Sequence, residues 1–457
     1  MNAEYNDAPR DTRHDSQRDS QRDSQRDSQR DSQRDSQRDS QRDSQRDSQR
    51  DSRRDSQRAA AERKGALSRF TIIDASRVRA GPTAMRLFAD MGARVIKLEI
   101  PRGAPGGDDM IGGRDHNRAD YENLHRNKES LTLNMKDPAG RAILFDLVRR
   151  ADVFIENFRP DVKGRLGIGP DTLRAINPRL VYASISGFGQ DGPYASWPGF
   201  DSIAQGMGGL MSVTGKPGEG PMRVGIPIAD LCAGHFCAMA ILTALLEREA
   251  SGEGQWVQTS LLEAQIAMLD FQAAQWLVDK QVPQQVGNEH PLTVPTGVFA
   301  TQDGYLNLAA IGQTMWTRLC DALGLDHLAR APGFDSDPAR VANRDAVNRA
   351  VSEVFKTRTT KEWTAILLKA GVPCGPIHRI DEVFEDPQVK HLGMAWPVDL
   401  PGRGEGAFVG QPFRLSRYPR AASPRLAPEQ GEHTQAILRE LGYADQQIEQ
   451  WRAAFVV

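Results

Sequence analysis

The chain predicts an α/β fold: an open, Rossmann-like parallel sheet with helices on its faces, followed by a smaller α+β unit. Three observations carry this. Before Gln281, short apolar segments alternate with segments of helical spacing. The stretches after those apolar segments are rich in Gly, Pro and polar residues, as expected at the carboxyl edge of such a sheet, where ligands bind. Beyond Gln281 the pattern changes to a hairpin followed by helices.

Phe70-Thr-Ile-Ile-Asp74 reads as a buried strand, and Met85, Phe88 and Met91 give Ala84–Met91 the spacing of a helix. Arg94-Val-Ile-Lys-Leu-Glu99 is the next strand. Asp137-Pro138 is a cap followed by proline at the first helical position, opening a helix through Ile143, Leu144, Leu147 and Val148. Asp152–Glu156, Leu180–Ser186 and Gln255–Ser260 are further strands, and a helix starts at Leu261. Gly297–Leu308 reads as a hairpin turning at Asp303-Gly304. Helices follow around Met315–Leu323 and Lys361–Ala370. Gly371–Pro376 and residues 401–420 read as connections, and a last helix near Gln435–Leu441 ends the chain.

Composition narrows the functional classes. Residues 15–58 of the 457 repeat one tetrad, Asp-Ser-Gln-Arg, eleven times, with Arg53 as the single change. The repeat holds no apolar residue to offset the entropy of ordering, so disorder is expected. Its 11 Asp and 12 Arg nearly cancel, which argues against a nucleic-acid tail. Its acidic content argues against a transit peptide. The net charge of −2 suggests neither a polyanionic nor a polycationic partner. The longest apolar run, Ala238–Leu246, is short of a membrane span. Cys232, Cys237, Cys320 and Cys374 have no zinc-site spacing and read as buried reduced thiols, which fits the cytoplasm. The nine His residues form no ligand cluster, so no metal is implied. A dinucleotide enzyme would place Gly-x-Gly-x-x-Gly after the first strand; Arg79-Ala-Gly-Pro-Thr-Ala84 lacks it.

One carboxylate stands out. Asp230 follows a glycine-rich stretch beginning at Trp197 and precedes Leu231, Ala233, Phe236, Ala238, Met239, Ile241, Leu242, Leu245 and Leu246, an apolar helical run. Local pattern favours an N-cap role, since Asp accepts an unpaired N–H of the first turn. A reactive role is compatible with it, because a positive helix end keeps a carboxylate ionised and directed.

Ten motifs in register carry a family resemblance: Ser76-Arg-Val-Arg-Ala-Gly-Pro82, Gly92-Ala-Arg-Val-Ile-Lys-Leu-Glu99, Asn127-Lys-Glu-Ser-Leu-Thr-Leu-Asn134, Asp152-Val-Phe-Ile-Glu-Asn157, Pro198-Gly-Phe-Asp201, Gly209-Leu-Met211, Ile228-Ala-Asp230, Ser251-Gly-Glu-Gly-Gln255, Gly375-Pro-Ile377 and Gly431-Glu-His-Thr434. From Leu67 to Val457 the chain resembles the family III CoA-transferases, also called the CaiB/BaiF family. The resemblance implies a large α/β domain built from both chain ends (66–280 and 395–457), a small domain over 281–394, and an interlocked homodimer; residues 1–65 before it read from composition as a disordered low-complexity tail. It places Asp230 at the family's nucleophilic aspartate. It nominates Val78, Arg79, Ala80, Leu133, Lys136, Asn157, Phe158, Arg165, Leu166, Phe200 and Asp201 for coenzyme A, which enters as substrate; no tightly bound cofactor is implied. Arg165 and Lys136 suit the nucleotide phosphates. Without the resemblance they would read as solvated surface charge, Phe200 as core and Asn157 as a turn residue.

Departures from the family pattern are informative. Racemases of the family have His before the Asp of Gly-x-Asp, where this chain has Phe200, so the second acid–base group for proton exchange is missing. Many members have Arg after the glutamate of Lys-x-Glu; here Ile100 follows Glu99, and Arg102 is the substitute on the adenine side. The glycine-tetrad loop of formyl-CoA:oxalate enzymes is absent, and Pro291-Leu-Thr-Val-Pro-Thr-Gly-Val-Phe299 is more like the succinyl-CoA:dicarboxylate (glutarate-type) members. The expectation is CoA transfer from an acyl-CoA, succinyl-CoA above all, to a carboxylic or dicarboxylic acid. An aspartyl anhydride and an aspartyl-CoA thioester on Asp230 would be the intermediates, with amides of Gly206–Gly209 as candidate oxyanion donors. The alternatives are an acyl-CoA racemase of the same family and a tail-driven nucleic-acid-binding or scaffold protein.

Overall fold

In a computed structural model, residues 65–104 and 118–457 are described; the Asp-Ser-Gln-Arg repeat over 15–58 lies outside the described residues. A six-stranded parallel sheet organises the first half: β1 (Thr71–Asp74), β2 (Arg94–Glu99), β3 (Glu129–Thr132), β4 (Val153–Glu156), β5 (Val181–Ser186) and β6 (Trp256–Ser260). Their spatial order is β3-β2-β1-β4-β5-β6. The strands are wholly apolar in places because helices cover both faces; every residue of β4 is buried. Ile72, Val95, Val153, Ile155, Val181 and Ala183 pack on one face with the helices Ala80–Asp90 and Ile228–Ser251. Ile73, Ile96, Phe154 and Tyr182 pack on the other with the helix Pro138–Val148, which Asp137 caps through Ala139 N–H at 2.7 Å.

This order reverses direction between β1 and β4, the switch point where open α/β sheets bind ligands. All six carboxyl ends face one edge. The helix Ile228–Ser251 leads into β6 and therefore runs against the strands, so its amino end, with Asp230, reaches that same edge.

A second sheet of three antiparallel strands, β7 (Thr296–Ala300), β8 (Tyr305–Ala309) and β9 (Cys374–Pro376), packs with helices Gly312–Leu323, Arg344–Phe355 and Thr360–Lys369 around Leu306, Trp316, Val351 and Leu367. The Asp303-Gly304 turn lies between β7 and β8 as expected. A two-stranded sheet joins β10 (Ala395–Leu400) to β11 (Gly404–Val409).

The structure adds elements that the sequence reading did not assign and corrects others. Glu129–Thr132 is an edge strand; it is four residues long and its polar positions are satisfied by the chain's far end, where Thr132 N–H donates to Thr434 Oγ1 (3.1 Å) and His433 N–H to Ser130 O (3.0 Å). Cys374–Pro376 and Gly404–Val409 are strands and not connections, because each pairs with a partner that local pattern does not reveal. The helix Asp445–Ala453 follows the one read as last, and its Ile448 enters the core under the sheet. The apolar helix extends at both ends beyond the run Leu231–Leu246 and well beyond the apolar stretch Ala238–Leu246: it has 24 residues, enough by length and composition to span a membrane, with half of its most apolar window buried in the molecule.

One glycine sets how that helix packs. A Cβ on Gly234 would meet Ala80 O at 2.6 Å and Thr83 Cβ at 3.0 Å, so the backbones of the two helices approach where no side chain fits. Gly234→Ala is expected to push them apart at a cost of about 1–3 kcal/mol. Urea denaturation reads the loss, and an unchanged midpoint would refute this account of the contact.

Candidate active site

The loop after β1 is held from three sides. Asp74, wholly buried, accepts from Ser76 N–H at 3.1 Å and from Ser76 Oγ, and pairs with the buried Lys128 ammonium at 2.9 Å. Burial lowers the Lys128 pKa, and the charge of Asp74 opposes that shift. Across the switch point, Asn157 brackets Arg77: its Oδ1 accepts Arg77 N–H and its Nδ2 donates to Arg77 O, both at 2.8 Å. The Arg77 guanidinium lies over the Phe158 ring, 5.7 Å from its centre. Between these clamps Val78 has φ +56°, a left-handed conformation unfavourable for a β-branched residue and maintained only where the surroundings impose it. Gly81 is required beneath, since a Cβ there would lie 2.2 Å from Ser76 Cβ.

Arg79 ends the loop and forms a two-pronged pair with Asp120, at 3.0 and 2.7 Å. Ala80, buried, is the first residue of its helix and the one that meets Gly234. Asp230 then comes to lie where Arg79 and Asp201 both act on it. It is half-buried, and among the described residues no side chain pairs with its carboxylate. Burial raises its pKa first, the Asp201 charge raises it further and Arg79 opposes; the result is about 6.

Asp230 is not the cap that local pattern favours. The cap position is Pro227, which offers no side-chain acceptor, and Asp230 lies inside the first turn. The acceptor comes from elsewhere: Asp201 Oδ1 receives Ala229 N–H at 2.9 Å and Asp230 N–H at 3.4 Å. Gln205, four residues on and wholly buried, donates to Asp201 Oδ2 at 2.7 Å. The amides of Gly208 and Gly209 already donate to Ala204 O and Gly206 O, which removes them as oxyanion donors in this arrangement.

The remaining nominated residues spread along the same edge. Phe200 is 62 % exposed and therefore no core residue. Leu133 has its side chain in the core and Leu166 is half-buried against it. Lys136 is exposed. Arg165 is exposed and pairs with Asp161 at 3.1 Å. Arg102 is exposed, with its Nε donating to Gln430 at 2.7 Å. Sequence reasoning missed Asp120, Lys128, Gln205 and Gly234. Only Gln205 left a readable signal, its i,i+4 spacing from Asp201.

A half-buried carboxylate at the carboxyl edge of a doubly covered parallel sheet, beside a strained loop, lies where α/β enzymes of this topology bind their ligands. The sequence model described as CoA-transferase family III matches residues 67–434, so the chain belongs to that family and is a CoA-transferase. It is 40 % identical over 392 residues to the succinate–glutarate CoA-transferase of Agrobacterium fabrum, covering 83 % of this chain and 96 % of that one. It is 34 % identical over 390 residues to human succinyl-CoA:glutarate CoA-transferase (84 % and 89 %). A crystal structure of a CaiB/BaiF family protein from Brucella suis aligns with TM-score 0.71 at 35 % identity, covering 83 % of this chain and all of that one.

The raised pKa of Asp230 has a stability consequence. Its folded-state pKa of about 6 exceeds the reference 3.8, so the folded state binds the proton more tightly and ionisation disfavours folding. That penalty is complete above about 6 and vanishes below 3.8. Asp230→Asn should therefore raise Tm by about 2–4 °C at neutral pH. Thermal melts across pH should show the gain shrinking on acidification; a gain independent of pH would contradict the assignment.

Proposed function

We propose that the protein moves CoA from succinyl-CoA to a dicarboxylic acid, glutarate being the first candidate, with Asp230 as covalent carrier. The observation that supports this most is the unpaired, half-buried Asp230 carboxylate at the ligand-binding edge. With a pKa of about 6, it is roughly nine-tenths ionised at pH 7 and more basic than an exposed aspartate, so it needs no separate base. The choice of donor and acceptor rests on the relatives named for succinate and glutarate.

In the proposed sequence an Asp230 oxygen attacks the thioester carbonyl, the C–S bond breaks and CoA thiolate leaves, forming a mixed anhydride. The thiolate attacks the Asp230 acyl carbon of that anhydride, releasing the donor acid and leaving an aspartyl-CoA thioester. The acceptor carboxylate attacks this thioester, regenerating an anhydride and free thiolate. Thiolate attack on the acceptor's acyl carbon then yields the new acyl-CoA and restores the Asp230 carboxylate. A carboxylate is a weak nucleophile, so most of the acceleration falls to fixed geometry, about 7–11 kcal/mol where alignment is good. The clamped loop from Ser76 to Ala80 is the natural cradle for the CoA moiety, with Lys136, Arg102 and Arg165 along the edge for its phosphates. Phe200 has no proton to exchange, which disfavours racemisation.

Intact-mass analysis of enzyme quenched during turnover with succinyl-CoA and glutarate should find CoA or succinyl adducts on the peptide holding Asp230. Asp230→Ala should bind CoA yet lose exchange by on the order of 10⁴-fold or more. An unmodified peptide, or substantial turnover by the variant, would refute the covalent scheme.

We also propose that two copies pair, in the cytoplasm. Met239, Leu242 and Leu246 form an exposed stripe on the helix Ile228–Ser251, and Trp276, Leu277, Val278 and Val282 are exposed nearby in sequence. Apolar surface of this kind marks interaction sites. Light scattering on purified protein should give twice the chain mass of 50.5 kDa; a monomer at micromolar concentration would overturn the pairing.

A further inference from the structure

We propose that Asp201 is a positioning residue for Asp230: it caps, from a different helix, the helix that carries the nucleophile, and it holds a second negative charge beside it. This rests on Asp230 being the nucleophile, and it replaces a CoA-contact role for Asp201.

The first argument is hydrogen bonding. A helix leaves its first amides unpaired, and an acceptor must be found for them when they are buried. The helix Ile228–Ser251 has Pro227 at its cap and no acceptor of its own. Asp201 Oδ1 takes the N–H of Ala229 at 2.9 Å and approaches that of Asp230 at 3.4 Å, so the backbone bearing Asp230 is tied to another element. Asp201 Oδ2 is occupied as well, by Gln205 Nε2 at 2.7 Å.

Gln205 extends the tie. Its Oε1 accepts Val224 N–H at 2.9 Å, and its Nε2 also reaches Ile226 O at 3.3 Å. One Asp-Gln pair therefore fastens the segment Val224–Asp230 to the helix Asp201–Met207. With both oxygens engaged by protein donors, Asp201 is better suited to holding this segment than to binding a ligand.

The second argument is charge. The groups acting on the Asp230 carboxylate are Asp201 from the helix Asp201–Met207 and Arg79 from the start of the helix Ala80–Asp90. Arg79 is itself paired with Asp120, which takes up part of its field. From the helix Leu261–Ala267, Glu263 is turned to its own cap, Ser260, and Gln265 is neutral. Burial raises the basicity of Asp230 most, and Asp201 is the negative charge that raises it further; a more basic carboxylate is the stronger nucleophile.

The two roles separate experimentally. Asp201→Asn keeps a cap acceptor and removes the charge; Asp201→Ala removes both. For Asp201→Asn the acid limb of the kcat profile should move to lower pH by roughly half a unit, with KM for succinyl-CoA within about twofold of the parent. For Asp201→Ala kcat should fall by roughly 10–100-fold as the nucleophile loses its alignment. Should Asp201→Asn not fold, Asp201→Ser, which also caps without charge, is measured in its place. An acid limb that coincides with the parent's, or a loss confined to KM, overturns the proposal; the latter would mark Asp201 as a CoA contact. Adduct formation on Asp230 in the parent enzyme is followed alongside. If no adduct forms there, the covalent reading fails; if it forms and the limb stays, only the role of Asp201 fails.

Discussion

The approach of two helix backbones at Gly234 is the constraint on which the site depends. With no side chain there, the helix Ile228–Ser251 lies directly against Ala80 and Thr83. That contact brings a carboxylate from residue 230 to a loop from residue 80, across a chain separation no local interaction spans. The rest of the site adjusts around it. Arg79 moderates the Asp230 charge from one side, and Asp201 raises its basicity from the other while holding its backbone.

The same edge concentrates buried charge. Asp74 with Lys128 and Glu156 with Lys163 are nearly or wholly excluded from water, as is Arg126 with Asp90 at the far end of the helix Ala80–Asp90. His125, enclosed near Lys97 and Lys128, has its pKa driven well below the usual histidine value by burial first and then by the two ammonium groups, so it stays neutral. Such pairs contribute little net stability, yet each is costly to break because the partner is left buried and charged. The Asp74–Lys128 pair acts directionally: with Ser76 bonded to Asp74, it helps fix the loop after β1 in one conformation, strained at Val78. A stable cradle for a large substrate can be built this way on a sheet whose interior is otherwise aliphatic.

Much of the large sheet is legible in the sequence because its strands are buried on both faces. Ile72-Ile73, Val95-Ile96 and Val153-Phe154-Ile155 are apolar runs without alternation, and the segments between them repeat at helical spacing. What escaped is informative. Glu129–Thr132 is short and half polar, with its polar groups completed by residues about three hundred positions away. Cys374–Pro376 and Gly404–Val409 contain Gly and Pro, the usual marks of connections, and become strands only through their partners. The same limit applies to Asp230. Asp before an apolar run is the pattern of a cap, yet the cap is supplied by Asp201, and no short-range signal records which carboxylate takes which task.

Sequence alone determined five of the six strands of the large sheet and, through ten motifs in register, the family resemblance that nominates Asp230, because buried strands and contiguous motifs leave marks at short range. Tertiary structure alone decided that Asn157 brackets Arg77, that Asp201 serves Asp230, and that burial and a neighbouring charge lift the Asp230 pKa to about 6. Those properties depend on distances between residues far apart in the chain, and desolvation and Coulomb interaction act through such distances regardless of sequence separation.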